Sequence, residues 1–247
     1  MLLLLVLLPL QVGFATDSID QTSVSAHLRD VPGRFLDGLN HTVNDPVNRN
    51  IMLASTLLAL AALPFDERVS DGTITAAPLT DALARFCDHY GHGWAGVGLG
   101  GWLVLTGMTD PVAAAYRLEF AALALATTYQ TTAFLKWAVG RERPSGNNRR
   151  SFPSGHTSHS FVVATVIDEI YGHRAGIPAY GIAALVATSR VQAAAHYPSD
   201  VLFGAGVGTI IGRGFGQIYR AERSRSADTV SWSLVPLGSS LTVILEF

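Results

Sequence analysis

Ile51 to Leu63 is a largely apolar stretch that stops at Pro64. Leu79 to Tyr90 is mixed, with Asp81, Arg85 and Asp88 recurring on one side at helical spacing. Trp94 to Met108 is apolar and rich in glycine. Pro111, a residue suited to a first helical turn, opens a long apolar run over Val112 to Val139, interrupted by Thr127, Thr128, Gln130, Thr131 and Thr132. Ser154 to Tyr171 follows and is stopped by Gly172, then Pro178 to Ala193, then Asp200 to Tyr219. The pattern predicts an all-α bundle of about six core helices over residues 46–222. The end of the chain differs. Val230 to Leu237 and Leu241 to Phe247 flank Gly238-Ser-Ser and read as a short C-terminal β-hairpin docked on the bundle, within a tail of 223–247.

The start of the chain is distinct again. Residues 1–15 form a short Leu-rich run with Gly13 and Ala15 at cleavage-site spacing, which reads as a signal peptide although no Lys or Arg precedes it. An uncleaved anchor is the rival reading. Residues 16–45 are polar, contain Pro32 and Gly33, and read as an exported linker with room for one short helix.

Two glycine patterns need separating. Gly91, Gly93 and Gly96 match G-x-G-x-x-G, but no strand precedes them, so a dinucleotide site is not implied. Gly204, Gly208, Gly212 and Gly216 recur every four residues and line one helix face, which permits close helix packing.

Composition sharpens the picture. Of 247 residues, 49% are hydrophobic and only 15% charged, which points to a large buried core or to membrane contact. The net charge of −2 leaves no basic field for nucleic acid. The single cysteine, Cys87, excludes an intrachain disulfide and reads as a small core residue.

The cations cluster within residues 136–200. Lys136, Arg143 and Arg190 lie in or beside apolar stretches, where an unpaired cation is costly. Glu142 and Asp200 are too few to pair with all of them, and an anion with several oxygens would complete the set. Ser154, before an apolar run, is a helix N-cap signal; the free N–H groups beyond it favour an anion, and Gly155 lets that anion approach the backbone. His156 falls in that first turn. His196 and Asp200, four apart, share one face of a helical start, so the carboxylate can set the imidazole tautomer. Taken singly, these are also what a surface ion pair, an ordinary cap and a structural His–Asp pair look like. Together they comprise a nucleophile with its carboxylate, a proton donor and a cationic cradle, the parts of a phosphoryl-transfer site. His156 and His159 lack an H-E-x-x-H context, and no metal site is read from them.

Lys136 to Pro144 fits K-x6-R-P, Pro153 to His156 is P-S-G-H, and Ser189 to Asp200 fits S-R-x5-H-x3-D. In order and spacing this resembles the type-2 phosphatidic acid phosphatase and vanadium haloperoxidase superfamily. The resemblance implies a helical bundle with its active site at one end and a metal-independent phosphatase acting on a phosphomonoester or diphosphate. It implies His196 as nucleophile through a phosphohistidine, Asp200 as its orienting group and His156 as acid. Lys136, Arg143, Ser154, Gly155 and Arg190 would hold the phosphate. No cofactor is implied on this branch, where vanadate would act as an inhibitor; in the haloperoxidase branch the same pocket holds vanadate as cofactor.

The partner expected is a phosphorylated lipid or a small phosphoester, with contact to a membrane surface and none to nucleic acid. Phosphatidic acid, phosphatidylglycerophosphate, polyprenyl diphosphate and a lipid A phosphate all stay open. A vanadium-dependent haloperoxidase and a non-enzymatic helical membrane or lipid-binding protein are the other readings. Several apolar runs are shorter than the roughly 20 residues of a span. That favours an exported, periplasmic protein, soluble or membrane-associated, over an integral inner-membrane one.

Overall fold

A computed structural model describes residues 30–69, 79–109, 111–228, 231–237 and 240–246. The expected signal peptide, and the linker up to residue 29, lie outside them. The linker expectation changes from Val31 on: Val31–Asn44 is a helix, α1. Its Phe35 packs on Phe215, and its Arg34 forms an ion pair of 2.8 Å with Glu119. The helical body therefore starts before residue 46.

Asp45 caps α2 (Pro46–Ala62) by accepting from the Asn48 N–H, and Pro46 fills the first position, where its missing N–H costs nothing. This α-helix ends before Pro64, as expected, but a 3-10 turn, Leu63–Phe65, carries helical structure on to Val69. Next come α3 (Asp81–His89), a π-turn (Tyr90–Trp94) and α4 (Ala95–Thr106). Gly93 holds φ at +118° in that turn, a conformation L side chains rarely adopt. The long α5 (Pro111–Val139) delivers Lys136 near its end.

Ser154 caps α6 (Gly155–Tyr171), accepting from the Thr157 N–H, and Gly172 ends it at φ +81°. The next helix starts earlier than Pro178: α7 spans His173–Gln192, with Pro178 inside its second turn. The last helix, α8, spans Pro198–Asp228, longer at both ends than Asp200 to Tyr219. Pro198, at its first position, sets the start. Ser231–Leu237 and Ser240–Glu246 pair antiparallel, with Ser231 opposite Glu246.

The core gathers where α4, α5, α6 and α8 meet, around Leu103, Phe120, Val162, Val166, Val207, Ile211 and Phe215. The four-residue glycine spacing on α8 is answered by α6. A Cβ on Gly204 would lie 2.8 Å from the Ser154 carbonyl oxygen, on Gly208 2.9 Å from the Val162 nitrogen, and on Gly212 2.7 Å from Thr165. On the other side, Gly206 faces Ser55 of α2 and Gly214 faces the backbone of Thr42 of α1. A second glycine face thus admits the first two helices. Cys87 is fully buried and free.

The outside of the bundle is also apolar. Leu53, Leu57, Leu58 and Leu60 of α2, Val97, Trp102 and Leu105 of α4, and Phe134 and Trp137 of α5 are all exposed. Among the described residues, Pro46–Val69 and Pro198–Ser224 are long and apolar enough to cross a membrane; only 11% of the apolar window in the first is buried.

Candidate active site

The segments carrying the predicted residues converge at one end of the bundle. Lys136, one turn before the end of α5, donates to the carbonyls of Arg150 (2.8 Å) and Pro153 (2.6 Å), tying the helix end to the loop before α6. Burial, with Arg143 nearby, lowers its pKa to about 8.

At the start of α6, Ser154 is fully buried. Its backbone N–H donates to the Asp200 carbonyl (3.0 Å), and its Oγ accepts from Thr157 Oγ1 (2.9 Å). The first-turn N–H groups of Gly155 and His156 have no acceptor within the helix. A Cβ on Gly155 would make ordinary contact, at 3.6 Å, with the side chains of Lys136 and Thr132. His156 needs room on its other side: a Cβ on Gly91 would fall 2.6 Å from the His156 ring. Gly91 of the G-x-G-x-x-G run thus makes room for this histidine, and Gly96 lies against His159.

Arg190, in the last turn of α7, is buried and held by Asp88 of α3 at 2.6 Å. His156 Nε2 is 3.3 Å from the same Asp88 oxygen. The sequence pattern only grouped Asp88 with Asp81 and Arg85 on one side; about half exposed, it is the carboxylate shared by the predicted clamp and the predicted acid. Burial raises the Asp88 pKa, but Arg190 outweighs it and the carboxylate lies below its ordinary value. His156 moves the other way. Burial, then the charge of Arg190, lower it to about 3. His92 meets the His156 ring edge-on with centroids 4.8 Å apart. Asp88, His92 and His156 offer ligand atoms all within 4.8 Å of one another, a potential metal group that no sequence motif announced.

His196 lies in the turn before α8 rather than on the helix, because Pro198 starts it; Asp200 is in the first turn. Both are buried, with His196 Nδ1 3.8 Å from Asp200 Oδ2, too far for a hydrogen bond. The expected bond is absent because other donors occupy the carboxylate. Oδ2 accepts from Ser151 Oγ (2.5 Å) and the Tyr197 N–H (2.9 Å), and Oδ1 accepts from Arg141 (2.8 Å). Burial lowers the His196 pKa despite the nearby Asp200, which keeps the imidazole neutral.

Arg141, Ser151, Asp66 and Asp88 were not picked out as site residues from the sequence. Arg141 stands inside K-x6-R-P, where its nearness to Arg143 was the available signal. Asp66 and Asp88 carried none, being distant in sequence from the motifs.

Residues 118–224 match the model of the PAP2 superfamily, and all three motifs lie within that span. That segment, less than half of the chain, is similar to the PAP2 superfamily. Two curated relatives are similar to part of this chain. Lipid A 1-phosphatase of Porphyromonas gingivalis is 40% identical over 80 residues, 31% of this chain and 18% of that protein. Lipid A 4'-phosphatase of Helicobacter pylori is 31% identical over 99 residues, 40% of this chain and 46% of that protein. The matches thus cover less than half of either relative. The crystal structure of Aquifex aeolicus LpxE superposes with a TM-score of 0.51 at 23% identity, over 62% of this chain and 95% of that one, a likeness in fold.

Proposed function

We propose that this protein is a PAP2-type phosphoric ester hydrolase that removes phosphate from a lipid, through a phosphohistidine on His196 and without a metal. One observation carries the reading. Arg143 Nε, His156 Nε2 and His196 Nδ1 are buried polar atoms without a hydrogen-bond partner, although His156 Nε2 lies 3.3 Å from Asp88, and all three belong to the predicted site residues. Buried polar groups are ordinarily paired. A bound phosphate would give the first two an oxygen each.

In this reading Lys136, Arg143, Arg190 and the N–H groups of Gly155 and His156 hold the phosphate, while Ser154 Oγ, already accepting from Thr157, has a proton left to donate. His196, neutral, attacks phosphorus with Nε2. The N–P bond forms as the P–O bond to the leaving oxygen breaks, and His156 gives that oxygen its proton. Water then attacks phosphorus and His156 takes a proton from it. The N–P bond breaks, releasing orthophosphate and His196. In the free protein His156 is too weak a base to hold a proton at neutral pH. A phosphate dianion against Arg190 supplies the charge that favours the imidazolium, so substrate and proton bind together.

The two lipid A phosphatases support a phosphorylated lipid as substrate. The exposed apolar surface of α2, α4 and α5 and the two long apolar helices favour an integral membrane protein over the soluble exported form expected from run lengths. The Asp88–His92–His156 group gives a metal-dependent variant a specific basis. Phosphate release from a panel of lipid and soluble phosphoesters, with and without EDTA, tests all of this. Release from lipid substrates, unchanged in EDTA, is the expected result. Loss in EDTA restored by a divalent ion would assign the metal variant, and no release from any substrate would end the phosphatase reading.

A further inference from the structure

The turn that extends α2 reaches the site through Asp66. This carboxylate is buried, with 2% of the residue exposed, and is engaged on both oxygens. Oδ1 accepts from the Ser199 N–H (3.0 Å); Oδ2 accepts from Ser199 Oγ (2.5 Å) and Arg141 Nη2 (2.7 Å). The other terminal nitrogen of Arg141 donates to Asp200 Oδ1 (2.8 Å) and Ser199 Oγ (2.7 Å). Its guanidinium also lies 4.2 Å from the ring centre of Tyr197, the residue after His196.

We infer that Arg141 and Asp66 are positioning residues for the nucleophile: they hold Asp200, and the turn carrying His196, in the orientation the reaction needs. The inference rests on the proposed phosphohistidine reading. Three features carry it. Unlike Arg143, whose Nε has no hydrogen-bond partner, Arg141 has both terminal nitrogens taken by carboxylates. Its planar fork bridges two carboxylates in directions that lysine cannot reproduce. And Asp200, with Arg141 on one oxygen and Ser151 and the Tyr197 N–H on the other, cannot rotate without breaking several bonds at once. The Nδ1 to Oδ2 separation of 3.8 Å can then close by a small movement of the imidazole alone when substrate arrives.

A residue acting through Asp200 should alter turnover rather than substrate binding. Arg141→Ala is expected to lower kcat about 10–100-fold, the range typical when a supporting partner of a site ligand is removed, with KM nearly unchanged. Arg141→Lys should stay impaired. A cavity of about 550 Å³, lined in part by Arg68, Arg141, Glu142 and Tyr197, opens beside the guanidinium. Methylguanidinium can therefore reach the gap, and is expected to restore part of kcat in Arg141→Ala and none in His196→Ala. Asp66→Asn keeps the shape of the site and should show the same split, more weakly, should Arg141→Ala fail to fold. Unchanged kcat in a folded Arg141→Ala or Asp66→Asn overturns the inference. So does a raised KM with kcat intact, which would make Arg141 a phosphate ligand. An inactive wild type would instead defeat the phosphatase reading.

Discussion

Replacing Gly208 by alanine tests whether the glycine face of α8 sets the geometry of the site. The added Cβ would fall against the Ser158 carbonyl oxygen and 2.9 Å from the Val162 nitrogen, both backbone atoms of α6. Neither can rotate away as a side chain would, so the helices must part by about 1 Å to restore ordinary contact with the Ser158 oxygen. Overpacking of this kind costs about 1–3 kcal/mol. At about 2–4 °C per kcal/mol for a domain of this size, the unfolding midpoint should fall by about 2–12 °C. The same movement separates the start of α6, with His156, from the start of α8, with Asp200. A displacement near 1 Å in a reacting constellation can cost about 100-fold, so a loss of about 10–100-fold in kcat is expected. The control is Gly181→Ala on α7, where a Cβ meets nothing within 4 Å and should be neutral or stabilise by about 0.5–1 kcal/mol. Thermal unfolding and phosphate release in the same detergent compare the two. Equal midpoints and equal kcat in both variants would refute the close-packing argument.

Other outcomes follow from the site. His196→Ala should abolish turnover and the acid-labile phosphoenzyme trapped by rapid quench; a phosphoenzyme surviving in that variant would move the nucleophile elsewhere. Asp200→Asn should leave KM near wild type while cutting kcat strongly, read from steady-state kinetics on one lipid substrate. His156→Ala should spare aryl phosphates and penalise alkyl phosphates, because only the poorer leaving oxygen needs the proton; equal losses on both would remove its role as acid. Folding leaves His156 harder to protonate than in the unfolded chain, so its contribution favours the folded state fully above about pH 6.5. It is lost progressively as the pH falls from there toward about 3. His156→Gln should therefore flatten the acid side of a midpoint-against-pH curve. Vanadate, a mimic of the pentacoordinate state, should inhibit, and Arg143→Ala should weaken that inhibition.

The sequence by itself determined the helical class, the order of the long helices and the grouping of the candidate site residues. Local signals sufficed for these. Ser154 before an apolar run is an N-cap whatever surrounds it, and a glycine every fourth residue makes a flat face on any helix. Only the tertiary structure decided where the chain bends and what partners the site. Helical structure continues past Pro64 and Pro178, both exposed, because proline removes one hydrogen bond and the burial of neighbours such as Asp66 and Ala179 can offset it, a balance that local propensity does not contain. Asp66 and Asp88 reach Arg141 and Arg190 across 75 and 102 positions. Such contacts depend on how α2 and α3 pack against the helices that carry the motifs. The distance from His196 to Asp200 was likewise beyond the reach of spacing. Four residues apart put the two side chains near each other, but Ser151, Arg141 and the Tyr197 N–H, brought in by folding, set the direction of the carboxylate.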